Sequence, residues 1–110
     1  MDRKTQLEQE LKRTTEVLVR EYRPERMILF GSLARGTVHE WSDIDLAVVK
    51  DTPRRFIERV GEVLDLVDSQ VGFNVVVYTP QEVTQMTQQD HGFRIDEIVK
   101  KGKVVYDRSA

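Results

Sequence analysis

The chain has 110 residues, with 17 Lys and Arg against 19 Asp and Glu, a formal net charge of −2 and no cysteine. That length makes one domain, residues 1–110, with room for a single core and none for a separate substrate domain. Disulfide frameworks and thiolate metal sites are excluded, the charge argues against autonomous nucleic-acid binding by a broad basic face, and no apolar run approaches the ~20 residues of a membrane span.

Leu7, Leu11, Leu18 and Tyr22 fall near one helical face, so the spacing predicts an amphipathic helix from about Thr5 to Tyr22, ending before Pro24. Met27-Ile28-Leu29-Phe30 reads as a buried strand that feeds a glycine turn, Gly31-Ser32, and a short helical turn, Leu33-Ala34-Arg35. The aspartates of Ser42-Asp43-Ile44-Asp45 then run directly into the apolar Leu46-Ala47-Val48-Val49, a second strand. Pro53 suits the first turn of a second helix, and Phe56, Val60, Val63, Leu64 and Val67 repeat at helical spacing up to about Asp68. Arg54 and Arg55 would sit in that first turn, where the helix dipole disfavours cations. Gly72 punctuates the helix end, and Phe73 to Tyr78 is a β-branched and aromatic third strand. Thr79-Pro80-Gln81-Glu82 carries a capping-box pattern that opens a third helix. Ile95, Ile98 and Val99 mark a short fourth helix stopped by Gly102, and Lys103 to Tyr106 add a last short strand.

The chemistry concentrates between residues 30 and 46. Gly31 and Gly36 permit backbone geometries closed to residues with a Cβ, so Gly31-Ser32 can turn tightly and aim amides and a hydroxyl at a phosphate. Asp43 and Asp45, spaced i, i+2 on a strand, point the same way. Two converging carboxylates repel unless a cation lies between them, and hard oxygen donors suit magnesium. Either half alone is a common turn or strand end; together they predict a magnesium–nucleotide site. Ser42 is placed to fix the loop before the carboxylates by a local hydrogen bond. Trp41 is either a stacking platform or a packed loop aromatic. His39 and His91, with no ligand pattern around them, read as surface histidines.

On these residues, Gly31-Ser32 with Arg35-Gly36 followed by Ser42-Asp43-Ile44-Asp45-Leu46, the chain resembles the polymerase-β-like nucleotidyltransferase superfamily. Within it the similarity is to the minimal nucleotidyltransferases that serve as antitoxins of HEPN-domain toxins. The resemblance covers nearly the whole chain and implies an α/β (α+β) fold, a small mixed sheet flanked by helices. It implies magnesium-dependent transfer of AMP from ATP to a hydroxyl of a HEPN-type toxin partner, in a hetero-oligomer with that toxin, a homodimer or both; the lack of cysteine is in keeping with a cytoplasmic protein. Asp43 and Asp45 would be catalytic and bind the metal, while Gly31, Ser32, Arg35 and Ser42 would hold the nucleotide.

One position departs from the pattern. The family's third carboxylate comes from a neighbouring strand, and Asn74 takes its place in Gly72-Phe73-Asn74-Val75. An asparagine amide accepts hydrogen bonds but cannot serve as a general base near neutral pH. Two carboxylates still suffice for a triphosphate-bound ion, whereas the ion that activates the nucleophile loses most. The alternative is therefore a catalytically silent antitoxin that binds nucleotide and neutralises its partner by occlusion.

Overall fold

A computed structural model describes residues 2–89, 98 and 101–110. The elements run α1 (Arg3–Glu21), β1 (Arg26–Phe30), α2 (Gly31–Arg35), β2 (Ile44–Val49), α3 (Phe56–Val67), β3 (Phe73–Tyr78), α4 (Pro80–Gln89) and β4 (Lys103–Asp107). The fold is the expected mixed α/β arrangement, a four-stranded sheet of order β3-β2-β1-β4. β1 is antiparallel to both β2 and β4, and β2 is parallel to β3.

Helix α1 starts earlier than its apolar spacing implies because Asp2 caps it, accepting from the Thr5 amide at 2.8 Å. It ends where Arg23 turns left-handed at φ 56° ahead of a buried Pro24. Helix α3 begins at Phe56, three residues after Pro53, so Pro53, Arg54 and Arg55 lie outside it. Glu58 explains the shift: it accepts from the Arg55 amide at 3.3 Å and from the Arg55 guanidinium at 3.0 Å, which fixes Arg55 ahead of the first turn. The helix closes on a left-handed Asp68, φ 40°, rather than on Gly72. The capping box at α4 forms as read: the Thr79 amide donates to Glu82 Oε1 at 2.8 Å and the Glu82 amide donates to Thr79 Oγ1 at 3.2 Å. The fourth helix expected over Ile95 to Val99 falls outside the described residues, apart from Ile98.

Alternation along the strands gives the sheet two unequal faces. Met27, Leu29, Leu46, Val48, Val75 and Val77 pack with Leu7 and Leu18 of α1 and Val63 and Val67 of α3 into the main core. The opposite face holds a smaller cluster of Ile28, Ala47, Val76 and Ile98, flanked by Phe30 and Tyr78. Asp45 and Asn74 belong by parity to this second face.

Candidate active site

Two backbone junctions bring the candidate residues together. Antiparallel pairing of β1 and β2 sets Phe30 opposite Asp45, so the turn that follows Phe30 lies beside the aspartate. Parallel pairing of β2 and β3 sets Asn74 opposite Asp45, and the Asn74 side-chain amide donates to Asp45 Oδ1 at 3.1 Å. Asp43 sits one residue before β2, not on it. The next residue is nevertheless held in strand register, Ile44 N–H donating to the Gly72 carbonyl at 2.9 Å.

Both carboxylates occupy space that only glycine leaves open. Gly31 has φ +75°, and a Cβ there would be driven into the Asp45 carboxylate. A Cβ on Gly72 would likewise collide with the Asp43 carboxylate, whereas Gly36, also at φ +75°, has nothing within 4 Å. Gly31 therefore serves both a left-handed turn and a close approach, Gly36 only the turn that ends α2, and Gly72 only the approach. Sequence reading gave Gly72 a punctuating role; its signal lay in the strand register, which sets Phe73 opposite Ile44 and so brings Gly72 alongside Asp43.

The loop between α2 and β2 is knotted around Ser42, which is 3% exposed. The Ser42 hydroxyl accepts from the His39 amide at 2.9 Å and lies 2.9 Å from the Ser32 hydroxyl, which donates to it. The Ser42 amide donates to the His39 carbonyl at 3.0 Å. His39 is exposed and its Nδ1 accepts from the Trp41 amide at 3.2 Å, a turn contact. Trp41 is 77% exposed, so it is not the packed loop aromatic that was one of its two readings. His91 lies outside the described residues. Arg54 and Arg55 pair with Glu58 at 3.6 and 3.0 Å on the surface.

Burial pushes the Asp45 carboxyl above the ordinary carboxylate range; the Asn74 hydrogen bond pulls it down, the charge of Asp43 raises it and that of Arg35 lowers it. Asp43, Asp45, Asn74 and Arg35 thus form one electrostatic unit. Among the described residues no group of three His, Cys, Asp or Glu side chains converges. The donor set for a cation is then two carboxylates beside an amide, hard oxygens that fit one magnesium-like ion completed by phosphate or water oxygens. A cavity of about 450 Å³ opens next to Asp45 and Asn74 along β3, with Phe30, Asp45, Asn74 and Val76 on one side and Val60, Leu64, Phe73 and Val75 on the other. It offers a pocket with both apolar wall and charge.

Comparisons with known proteins agree with this fold. Residues 12–110 match the family model described as polymerase beta, nucleotidyltransferase. A candidate protein adenylyltransferase of Methanocaldococcus jannaschii is 35% identical over 88 residues, 74% of this chain; the chain spans only 58% of that relative's length. Among solved structures, a candidate nucleotidyltransferase from Sulfolobus solfataricus superposes with a TM-score of 0.68 at 18% identity, over 96% of this chain and 85% of the other. A variant of the toxin–antitoxin pair MntA-HpeT (TM-score 0.52, 21% identity, 89% and 73% covered) and a toxin–antitoxin with AMP-PNP (0.51, 24%, 86% and 71%) share the fold.

Proposed function

From the premise that the chain belongs to the polymerase β nucleotidyltransferase family, we propose that it transfers AMP from ATP to a hydroxyl of a HEPN-type toxin protein, with magnesium as the cofactor. The observation that carries this reading is the Asp45 carboxylate packed against the Gly31 turn, with Asp43 two residues upstream beside Gly72 and a cavity lined by Asp45 and Asn74. A toxin partner is supported by the two toxin–antitoxin structures that share the fold, one of which contains an ATP analogue.

The residues divide the work as follows. Asp43 and Asp45 hold the cation; Gly31 and Ser32 hold the triphosphate, with Arg35 adding positive charge near Asp45. Ser42 keeps Ser32 and the loop in place. Bound magnesium would neutralise charge on the triphosphate and on the departing pyrophosphate. The acceptor oxygen forms a bond to the α-phosphorus, the bond from that phosphorus to its bridging oxygen breaks, pyrophosphate leaves with the electron pair, and the hydroxyl proton passes to solvent. Asn74 cannot take that proton, and absence of a general base is worth ~10² to 10⁴ in rate, so the transfer is slow.

The second reading is occlusion of the partner without chemistry, and the Asn74–Asp45 hydrogen bond favours it: the amide occupies the place and one oxygen that a third carboxylate and its cation would use. Incubating the chain and its Asn74→Asp variant with magnesium, α-phosphate-labelled ATP and the protein that co-purifies with it separates the two. Label on the partner from the unmodified chain supports transfer. Label from Asn74→Asp alone assigns position 74 as the missing ligand, and none from either supports occlusion.

A further inference from the structure

We propose that Arg3, in the first turn of α1, is a positioning residue for the carboxylate pair: it fixes the Ser42–Asp43 peptide and so aims Asp43 beside Asp45. The inference rests on the cation-binding reading above and extends it to a residue with no place in the motif.

The contacts are specific. Arg3 Nε donates to the Ser42 carbonyl at 2.9 Å, Nη1 donates to Gln6 Oε1 at 3.1 Å, and Nη2 lies 3.7 Å from Asp43 Oδ1. All three guanidinium nitrogens are thus engaged, and a planar fork held at three points has little freedom left. The amide and hydroxyl of Ser42 are already closed inside the 39–42 turn, which leaves its carbonyl as the group that points outward to α1. On the other side of Asp43, the Ile44 amide is tied to Gly72. Asp43 is therefore a single residue between two anchored peptides, and Arg3 is the upstream anchor.

Charge alone would act in the opposite direction. A guanidinium beside Asp43 repels a divalent cation, yet an ion pair at 3.7 Å with the Asp43 side chain 40% exposed is weak. The 2.9 Å bond to a buried residue's carbonyl is the stronger contact, so orientation outweighs repulsion. Outer contacts that orient a metal ligand are typically worth ~10- to 100-fold in metal affinity. The partial exposure here puts the effect at the low end.

The test uses the whole chain with Mn²⁺ and a non-hydrolysable ATP analogue, following water-proton relaxation, beside thermal unfolding without cation. Arg3→Ala should raise the half-saturating concentration about tenfold while unfolding stays cooperative. Arg3→Lys, which keeps the charge but has one nitrogen for three sites, should fall between. Should Arg3→Ala not fold, Arg3→Lys and Gln6→Ala carry the test, each with a smaller weakening expected. Unchanged or tighter binding in these variants overturns the inference and leaves the function standing. No saturable binding by the unmodified chain overturns both.

Discussion

Gly31, Gly36 and Gly72 form a natural series in which backbone strain and room for a carboxylate are separated. Gly36→Ala meets strain alone, since φ is +75° and no atom lies within 4 Å, and should cost ~1 kcal/mol in urea unfolding with nucleotide binding unchanged. Gly72→Ala meets the Asp43 carboxylate with no left-handed backbone; the mobile end of that side chain can swing aside, so stability should change by under ~1 kcal/mol while Mn²⁺–nucleotide affinity falls at least ~10-fold. Gly31→Ala combines both penalties and should lose ~1–2 kcal/mol and the binding together. Equal binding by Gly72→Ala and the unmodified chain would remove Asp43 from the proposed site. The single Trp, Trp41, is exposed beside the loop and supplies an intrinsic fluorescence readout. Gly31 and the aspartates were legible as a pattern, because turn chemistry and period-2 spacing are local. Gly72 and Arg3 were not, because what they touch is set by the pairing of distant segments.

Among the elements, α1 and the α3–β3 connection are joined by charges that apolar spacing cannot reveal. Glu10, 7% exposed, accepts from Arg13 at 2.7 and 2.9 Å, from the Gln70 amide at 2.6 Å and from Ser69 at 3.1 Å; Arg13 in turn donates to the Val67 carbonyl at 2.7 Å. The network holds the residues that lead into Gly72. The Arg13 hydrogen bonds, working against burial and helped by Gln70 and Ser69, bring the Glu10 carboxyl from an ordinary 4.5 to about 2. A depressed carboxylate stabilises the fold fully above its unfolded value and loses that contribution as pH falls from 4.5 towards about 2. At neutral pH the contribution is about 3 kcal/mol. Urea unfolding should therefore show stability falling steeply between those values, and Glu10→Gln should lower neutral-pH stability and flatten that acid limb. An acid limb of equal steepness in Glu10→Gln would reject the assignment. Arg59 repeats the lesson: 6% exposed, it donates to Glu82 at 2.7 Å and the Val77 carbonyl at 3.2 Å, tying α3 to the start of α4. A charged residue reads as surface from sequence, so the strands and most helix boundaries were recoverable while these internal ties, and the late start of α3, were not.

For the molecule as a whole, the parallel register of β2 and β3 decides what position 74 can do. Asn74 lies opposite Asp45, and its amide donates where a carboxylate would repel. The chain as it stands is therefore arranged to tolerate Asp43 and Asp45 together without a cation, Asn74 compensating part of the cost of burying Asp45. Asn74→Asp reverses that balance. Without divalent ion, three carboxylates crowd one strand end and stability should drop by ~1–2 kcal/mol, since a favourable bond becomes a like-charge contact. With magnesium and an ATP analogue the order should invert, because a ligand stabilises the fold by RT ln(1 + [L]/Kd) and the third carboxylate lowers Kd. Thermal unfolding with and without magnesium reads both signs at once. A larger magnesium-induced rise in Tm for Asn74→Asp means that the sheet places position 74 at the cation; an equal rise would mean that Asn74 serves only to steady Asp45, and would shift the weight towards occlusion.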